Sequence, residues 1–247
     1  MRHLLTLFSL CLCVAVNAQP GNFRNELSVG VGGGWVMSNV GFSPRVPQSM
    51  HQGFMGGVAV KYLTEKYFST YCSIVAELNY ARLGWKEDIR TETKEAVINP
   101  VSNLPEEYSR HIDYLQLPVF AHLAWGKAEN GFQFFFRAGP QLGFYMKEHT
   151  TTNFTVENRN SEARSNNIVA QDSMQVENKL DYGIAAGIGL EYARKHVGHF
   201  LLEARYYYGL GNIYGDSKKD FFGRSNFGNI VFKLTYLFDV GKKKNKN

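Results

Sequence analysis

The sequence predicts an all-β fold, an eight-stranded antiparallel up-and-down transmembrane β-barrel. Three observations predict it: strand-length segments of alternating apolar and polar side chains, connections that alternate between long and short, and an aromatic content of 14%. The clearest segment, residues 132–146, reads FQFFFRAGPQLGFYM and has an apolar side chain at every even position. Because successive side chains of a strand point to opposite faces, one face of this strand is apolar. Its length suits a tilted strand that crosses a bilayer, which needs about 9–11 residues.

Eight segments carry this alternation. They are residues 26–38, 53–63, 70–83, 112–125, 132–146, 180–193, 200–210 and 227–239. The connections between them alternate without exception, beginning with a long one, so an up-and-down barrel would have all its long connections at one end. Bacterial outer-membrane barrels have this arrangement, with long extracellular loops and short periplasmic turns. An even number of strands then predicts that both chain termini are periplasmic.

The N-terminal residues have the three parts of a secretory signal peptide. Arg2 gives a positive start, an apolar stretch follows, and Val16-Asn17-Ala18 forms a small-residue cleavage site. We therefore predict a signal peptide at residues 1–18, a short lead at 19–25, the barrel at 26–240 and a basic periplasmic tail at 241–247. After cleavage Cys72 is the remaining cysteine, which excludes an intramolecular disulfide. Beyond residue 18 no stretch approaches the roughly 18 apolar residues of a membrane helix.

The same alternation predicts a polar, plugged lumen. A closed barrel pairs all its backbone groups internally and turns its apolar face to lipid, so polar and small side chains point inward. Four cations and three carboxylates fall on this inward face. We predict that they form a structural ion-pair network of Lys61, Glu77, Arg137, Glu191, Glu203, Arg205 and Lys233. The interior of an eight-stranded barrel of the OmpA or OmpX type is just wide enough for side chains to fill. Because the charges nearly cancel, an open and charge-selective pore is disfavoured.

Two prolines fall inside predicted strands, where a missing N–H group normally disfavours pairing. Extrapolation from the turn at residues 126–131 places Pro118 opposite Gly139 and Pro140. We interpret this pair as a shared β-bulge that curves the sheet.

No pattern in the sequence is typical of catalysis or of cofactor binding. The seven histidines include no metal-like pair with a consistent facing partner, and His111 and His149 lie near the bases of loops. No G-x-S-x-G elbow, Cys/His cluster or phosphate-binding glycine loop occurs in a suitable context. We predict no enzyme activity, no catalytic or metal-binding residues and no cofactor. The net charge of +5 is modest and is not gathered with aromatic residues into a nucleic-acid surface.

The long connections, above all residues 87–110 and 150–176, are polar and mixed in charge. Such segments commonly cover a protein as solvated surface loops, so we predict that role here. The predicted partners are the lipid of the outer membrane and, as an alternative, other envelope or secretion-machine proteins. We expect the barrel to be monomeric.

Several short motifs resemble those of the Bacteroidetes outer-membrane β-barrel family, which includes PorT-like and porin-family proteins. They are NAQ at residues 17–19, LSVGVG at 27–32, YLQLP at 114–118 and RAGPQLG at 137–143. The resemblance spans about residues 26–238 and implies an eight-stranded outer-membrane barrel with no family-wide catalytic residues. One relative takes part in type IX protein secretion, which implies an accessory role there as an alternative.

The leading functional interpretation is a non-enzymatic outer-membrane barrel with a structural or surface-interaction role. Three alternatives remain: an accessory component of a type IX secretion system, a narrow solute pore, and a secreted lipocalin-like binder. A lipocalin-like barrel has apolar residues inside, so the charged inward set argues against the last alternative.

Overall fold

Eight antiparallel strands form a closed barrel in the computed structural model, which describes residues 22–215 and 220–242. The strands pair in chain order, and the first pairs with the last. They are β1 (Asn22–Ser43), β2 (Gln48–Tyr67), β3 (Thr70–Glu87), β4 (Tyr108–Gly126), β5 (Gly131–Thr152), β6 (Leu180–Arg194), β7 (Gly198–Gly209) and β8 (Arg224–Lys242). This confirms the predicted fold class. The predicted signal peptide and residues 243–247 of the predicted tail lie outside the described residues.

The connections define two ends of the barrel. Residues 68–69, 127–130 and 195–197 make tight turns at one end, the turn end, where β1 also begins and β8 ends. The opposite end, the loop end, carries residues 44–47, 88–107, 153–179, 210–215 and 220–223. The prediction that the first connection is long is wrong. Both strands extend into that segment, because β1 ends at Ser43 and β2 begins at Gln48. Beyond the pair Ser38–His51, β1 follows β8 alone as far as Ser43, while β2 follows β3 alone from Gln48.

The outer wall is apolar along the strands, as the alternation predicts. On β5, Leu142 is 39% exposed whereas Gln141 is 3% exposed and faces the lumen. Exposed aromatic side chains are frequent near the turns, among them Phe68, Trp125 and Phe132. Such aromatic girdles flank the lipid-facing band of membrane barrels. Among the described residues, no helix is long and apolar enough to cross a membrane.

The lumen differs from the prediction in one respect, because its inward side chains are not all polar or small. Near the turn end, Phe135 is fully buried among the inward groups. Towards the loop end, large side chains form one continuous apolar cluster that includes Trp85, Tyr108, Tyr114 and Phe120. A charged zone in the lumen is therefore covered by an apolar zone on the side of the loop end.

The long connections pack over the loop end as a cap. Most of their residues stay accessible to solvent, as the prediction of a solvated cover requires, but several apolar side chains are buried against the barrel. Phe154, Val176, Ile213 and Phe222 belong to the same buried cluster as the upper lumen. Two isolated bridges, Arg90–Ala96 and Ile98–Pro105, order the connection after β3. Burial of this apolar surface favours a fixed arrangement of the cap.

The prolines also depart from the prediction. Pro118 lies opposite Gln141, and the β4–β5 register is the same on both sides of the gap between this pair and Ala121–Ala138. No bulge is present there. The register shift between these strands occurs nearer the loop end, between Asp113 and Tyr114.

Substitution of Leu142 tests the assignment of the lipid-facing wall. Leu142→Arg should impair assembly strongly, because an arginine that faces lipid near the midplane costs about 2–4 kcal/mol. Leu142→Met is the matched control and should assemble normally. The yield of folded barrel, measured as the heat-modifiable band on unboiled gels, reports the difference. Equal yields for the two variants would contradict the assignment.

Candidate functional site in the barrel lumen

A cluster of five charged residues occupies the middle of the lumen, and Glu77 on β3 is its centre. The carboxylate of Glu77 accepts hydrogen bonds from Arg205 Nη2 at 3.0 Å and from Lys233 Nζ at 2.8 Å. Arg137 Nη1 lies 3.1 Å from the same carboxylate. One acid on β3 thus joins cations from β5, β7 and β8 across the barrel. We call this group, together with Glu203, the lumen plug.

Glu203 on β7 completes the lumen plug. Its carboxylate accepts a hydrogen bond from Arg205 Nε at 3.0 Å and pairs with Arg137. Asn79 donates to Glu77 at 2.9 Å and accepts from Lys233 at 3.1 Å. The five charged side chains are almost fully buried. Removing several charges from water is costly unless they are paired and hydrogen-bonded. Each charged group of the plug has a partner of opposite charge, although the buried Nη1 atom of Arg205 has no hydrogen-bond partner among the described residues.

Glycines opposite the long side chains make room for the lumen plug. Gly187 on β6 pairs with Arg205, and a Cβ atom at Gly187 would lie 2.7 Å from a carboxylate oxygen of Glu203. At Gly32 on β1 a Cβ atom would lie 2.8 Å from the side chain of Lys233. A methyl group at either position would collide with a member of the plug. The inward glycines therefore provide the space that the charged side chains of the plug occupy.

Lys61 and Glu191 form a second, separate cluster nearer the turn end. Lys61 Nζ donates to Glu191 at 2.6 Å, and His199 Nδ1 lies 2.7 Å from the same carboxylate. The other ring nitrogen, His199 Nε2, lies 3.0 Å from the carboxylate of Asp239. His122 Nε2 lies 3.5 Å from Glu191. The seven residues singled out from the sequence thus fall into two groups instead of one network.

Phe135 lies near the boundary between the two clusters. Its ring stacks on His122 with centroids 4.7 Å apart, and the guanidinium of Arg137 lies 5.5 Å from its centroid. A Cβ atom at Gly189 would be 2.4 Å from the Phe135 ring. Gly189 therefore accommodates an aromatic ring, although β6–β7 pairing places it opposite Glu203.

The lumen offers little space for a substrate. A cavity of about 20 Å³ near Lys61, Glu191 and His199 has room for about one water molecule. Within residues 22–215 and 220–242, no group of three or more His, Cys, Asp or Glu side chains is arranged to hold a metal ion. The inward charges bind one another, so their arrangement favours a structural role over chemistry.

The cap contains a buried charged cluster that sequence reasoning missed. Arg164 Nη2 donates to Glu106 at 2.8 Å, and Arg164 Nη1 donates to Asp172 at 3.4 Å. Gln171 donates to Glu87, the last residue of β3, at 2.9 Å. Burial raises the pKa of Asp172 above its usual value, although Arg164 opposes the shift. These contacts between residues distant in sequence tie the connection after β5 to the end of β3 and to the connection after β3.

Neutralising Glu77 tests the lumen plug. Glu77→Gln would leave three buried cations facing one carboxylate, and breaking a buried ion pair in this way costs about 3–5 kcal/mol. We expect a marked decrease in the urea midpoint of unfolding, monitored by tryptophan fluorescence in detergent. Glu107→Gln is the control, because the Glu107 side chain is 67% exposed. Surface ion pairs contribute about 0–1 kcal/mol, so the control should be nearly neutral. Equal midpoints for the two variants would contradict the assigned role.

Comparison with known proteins agrees with this architecture. The family model of the outer membrane protein β-barrel domain matches residues 17–215, a range that includes β1 to β7. No curated protein matches this chain.

Solved structures with similar folds are distant in sequence. Ail of Yersinia pestis, in complex with the heparin analogue sucrose octasulfate, is 13% identical, with 86% of this chain and 99% of that chain covered and a TM-score of 0.40. Neisserial surface protein A is 10% identical, with 86% and 97% covered and a TM-score of 0.41. OprG of Pseudomonas aeruginosa is 12% identical, with 88% and 98% covered and a TM-score of 0.41.

Likenesses at this level carry no argument about function. The family model matches most of the chain, and the strand order and apolar outer wall agree with it. The chain therefore belongs to the outer membrane protein β-barrel domain family and is an outer-membrane β-barrel protein.

Proposed function

We propose that this protein is a non-enzymatic surface barrel whose closed lumen supports a rigid interaction surface at the loop end. The lumen plug is the observation that carries the proposal. Because Glu77, Arg137, Glu203, Arg205 and Lys233 bind one another, they leave no charged group free within the plug to act on a substrate. The same contacts argue against the alternative of a narrow solute pore.

The connection after β3 supports a role in surface interaction. The side-chain oxygen of Asn99 accepts hydrogen bonds from the backbone N–H groups of Val101 and Ser102 at 3.0 and 3.1 Å. These bonds fix a tip on which Val101 is 70% exposed and Leu104 is 57% exposed. An ordered tip with exposed apolar side chains suits protein contact better than a solvated spacer does.

The short motifs quoted above support membership of the Bacteroidetes PorT-like group. The three-part pattern of residues 1–18 supports a cleaved signal peptide. The even number of strands supports periplasmic placement of both termini, and a monomeric barrel stays a prediction. An accessory role in type IX secretion stays a prediction, and co-purification with large secretion components would test it.

Labelling of single cysteines tests which end faces outward. In a Cys72→Ser background, Ser102→Cys lies at the tip of the cap and Glu129→Cys lies in a turn at the opposite end; both native residues are exposed. A membrane-impermeant maleimide added to intact cells should label Ser102→Cys only. Glu129→Cys should react after the outer membrane is permeabilised. Labelling of Glu129→Cys alone in intact cells would reverse the orientation and overturn the proposal.

A further inference from the structure

A row of histidines crosses the outer wall where the apolar band ends at the loop end. His111 on β4 lies opposite His149 on β5 and opposite Gly84 on β3. The ring centroids of His111 and His149 are 5.2 Å apart. The ring of His51 on β2 stacks on that of His111, with the two centroids 6.0 Å apart. Sequence reasoning found no facing partners for these histidines, and the barrel register supplies them.

The next row of paired outward-facing residues, towards the middle of the barrel, carries two cations. Asp113 pairs across the strands with Arg82 on one side and Lys147 on the other. Arg82 Nε donates to the Asp113 carboxylate at 2.9 Å, and Lys147 Nζ lies 3.5 Å from it. The Asp113 side chain is fully buried, whereas that of Lys147 is 69% exposed. One carboxylate thus holds two cations side by side and leaves a net positive charge facing outward.

We call the histidines and cations around Asp113 the cationic patch. The outer wall formed by β6 and β7 carries no such charged side chains, so the patch is local and not part of a uniform ring. Every outward-facing residue from Leu180 to Tyr192 and from Phe200 to Leu210 is uncharged. Within the patch, the guanidinium of Arg82 lies over the Phe54 ring at 5.3 Å. The side chain of Lys147 is 69% exposed and that of Arg82 is 31% exposed. The patch therefore presents two accessible cations beside lipid-facing apolar surface.

We propose that Arg82, His111, Lys147 and His149 bind the phosphate group of a lipid headgroup in the leaflet at the loop end. Arginine and lysine form charge-assisted hydrogen bonds with phosphate, and histidine ring N–H groups add donors. The acyl chains of the lipid would lie along the exposed apolar side chains below, such as Leu78, Leu117 and Val119. The orientation proposed above makes this the outer leaflet. The patch thereby gives the barrel one preferred lipid neighbour on one side.

Lipid binding to the purified full-length protein in detergent tests this inference. The probes are lipid A carrying its phosphates, lipid A from which the phosphates have been removed, and inorganic phosphate, each measured by native mass spectrometry. The test variant is Lys147→Gln combined with His149→Gln, which keeps the Arg82–Asp113 hydrogen bond. Arg224→Gln is the control, because it removes an exposed arginine on β8 outside the patch. Heat-modifiable mobility checks that each variant is folded.

We expect phosphorylated lipid A to bind the wild type and the control equally. Binding to the test variant should be weaker by about tenfold or more, the effect of losing a charge-assisted hydrogen bond. Equal affinity for the dephosphorylated lipid would assign binding to acyl chains alone and overturn the inference. Equally tight binding of inorganic phosphate would indicate a free-anion site and would also overturn it. Because the assay uses purified protein, its result is independent of the orientation tested by cysteine labelling.

Discussion

The need to pair buried charge inside a narrow barrel is the constraint on which the rest of this structure depends. Glu77 has no access to water, so its carboxylate must be satisfied by protein donors, and Arg205, Arg137 and Lys233 supply them. Those cations are buried as well and need Glu203 and Asn79 in turn. Removing one member would leave another buried charge without its partner, which is strongly destabilising. Small residues on facing strands, Gly187 above all, follow from the space that it requires.

Closing the lumen has consequences for the loop end. The apolar cluster above the lumen plug extends from Trp85 and Tyr114 into the connections, where Phe154 and Ile213 are buried. Lumen and cap therefore share one core, and the cap is held by packing as well as by its own ion pairs. A barrel built in this way has two kinds of surface for partners: the ordered tip of the cap and the lipid-facing wall. The cationic patch around Arg82 and Lys147 belongs to the second kind.

The fold could be predicted from the sequence because a period of two residues assigns each side chain to a face. The inward positions of Glu77 and Arg205 follow from that parity alone. The alternation of side chains between the two faces does not tell how far along the barrel axis a residue lies. It therefore could not separate Lys61 and Glu191 from the lumen plug. It also suggested a small or polar lumen, although size is set by space across the barrel; Phe135 fits because Gly189 lies beside it. The cap escaped prediction because its contacts join residues far apart in sequence.

Conductance is the measurement that tests the central claim most directly. The purified barrel would be reconstituted into a planar lipid bilayer, with an open porin as the positive control for insertion and detection. We expect no stepwise conductance above the background of the bilayer, because paired side chains fill the lumen. Steady, reproducible conductance steps from the wild-type protein would contradict it and would show that the lumen plug does not close the barrel.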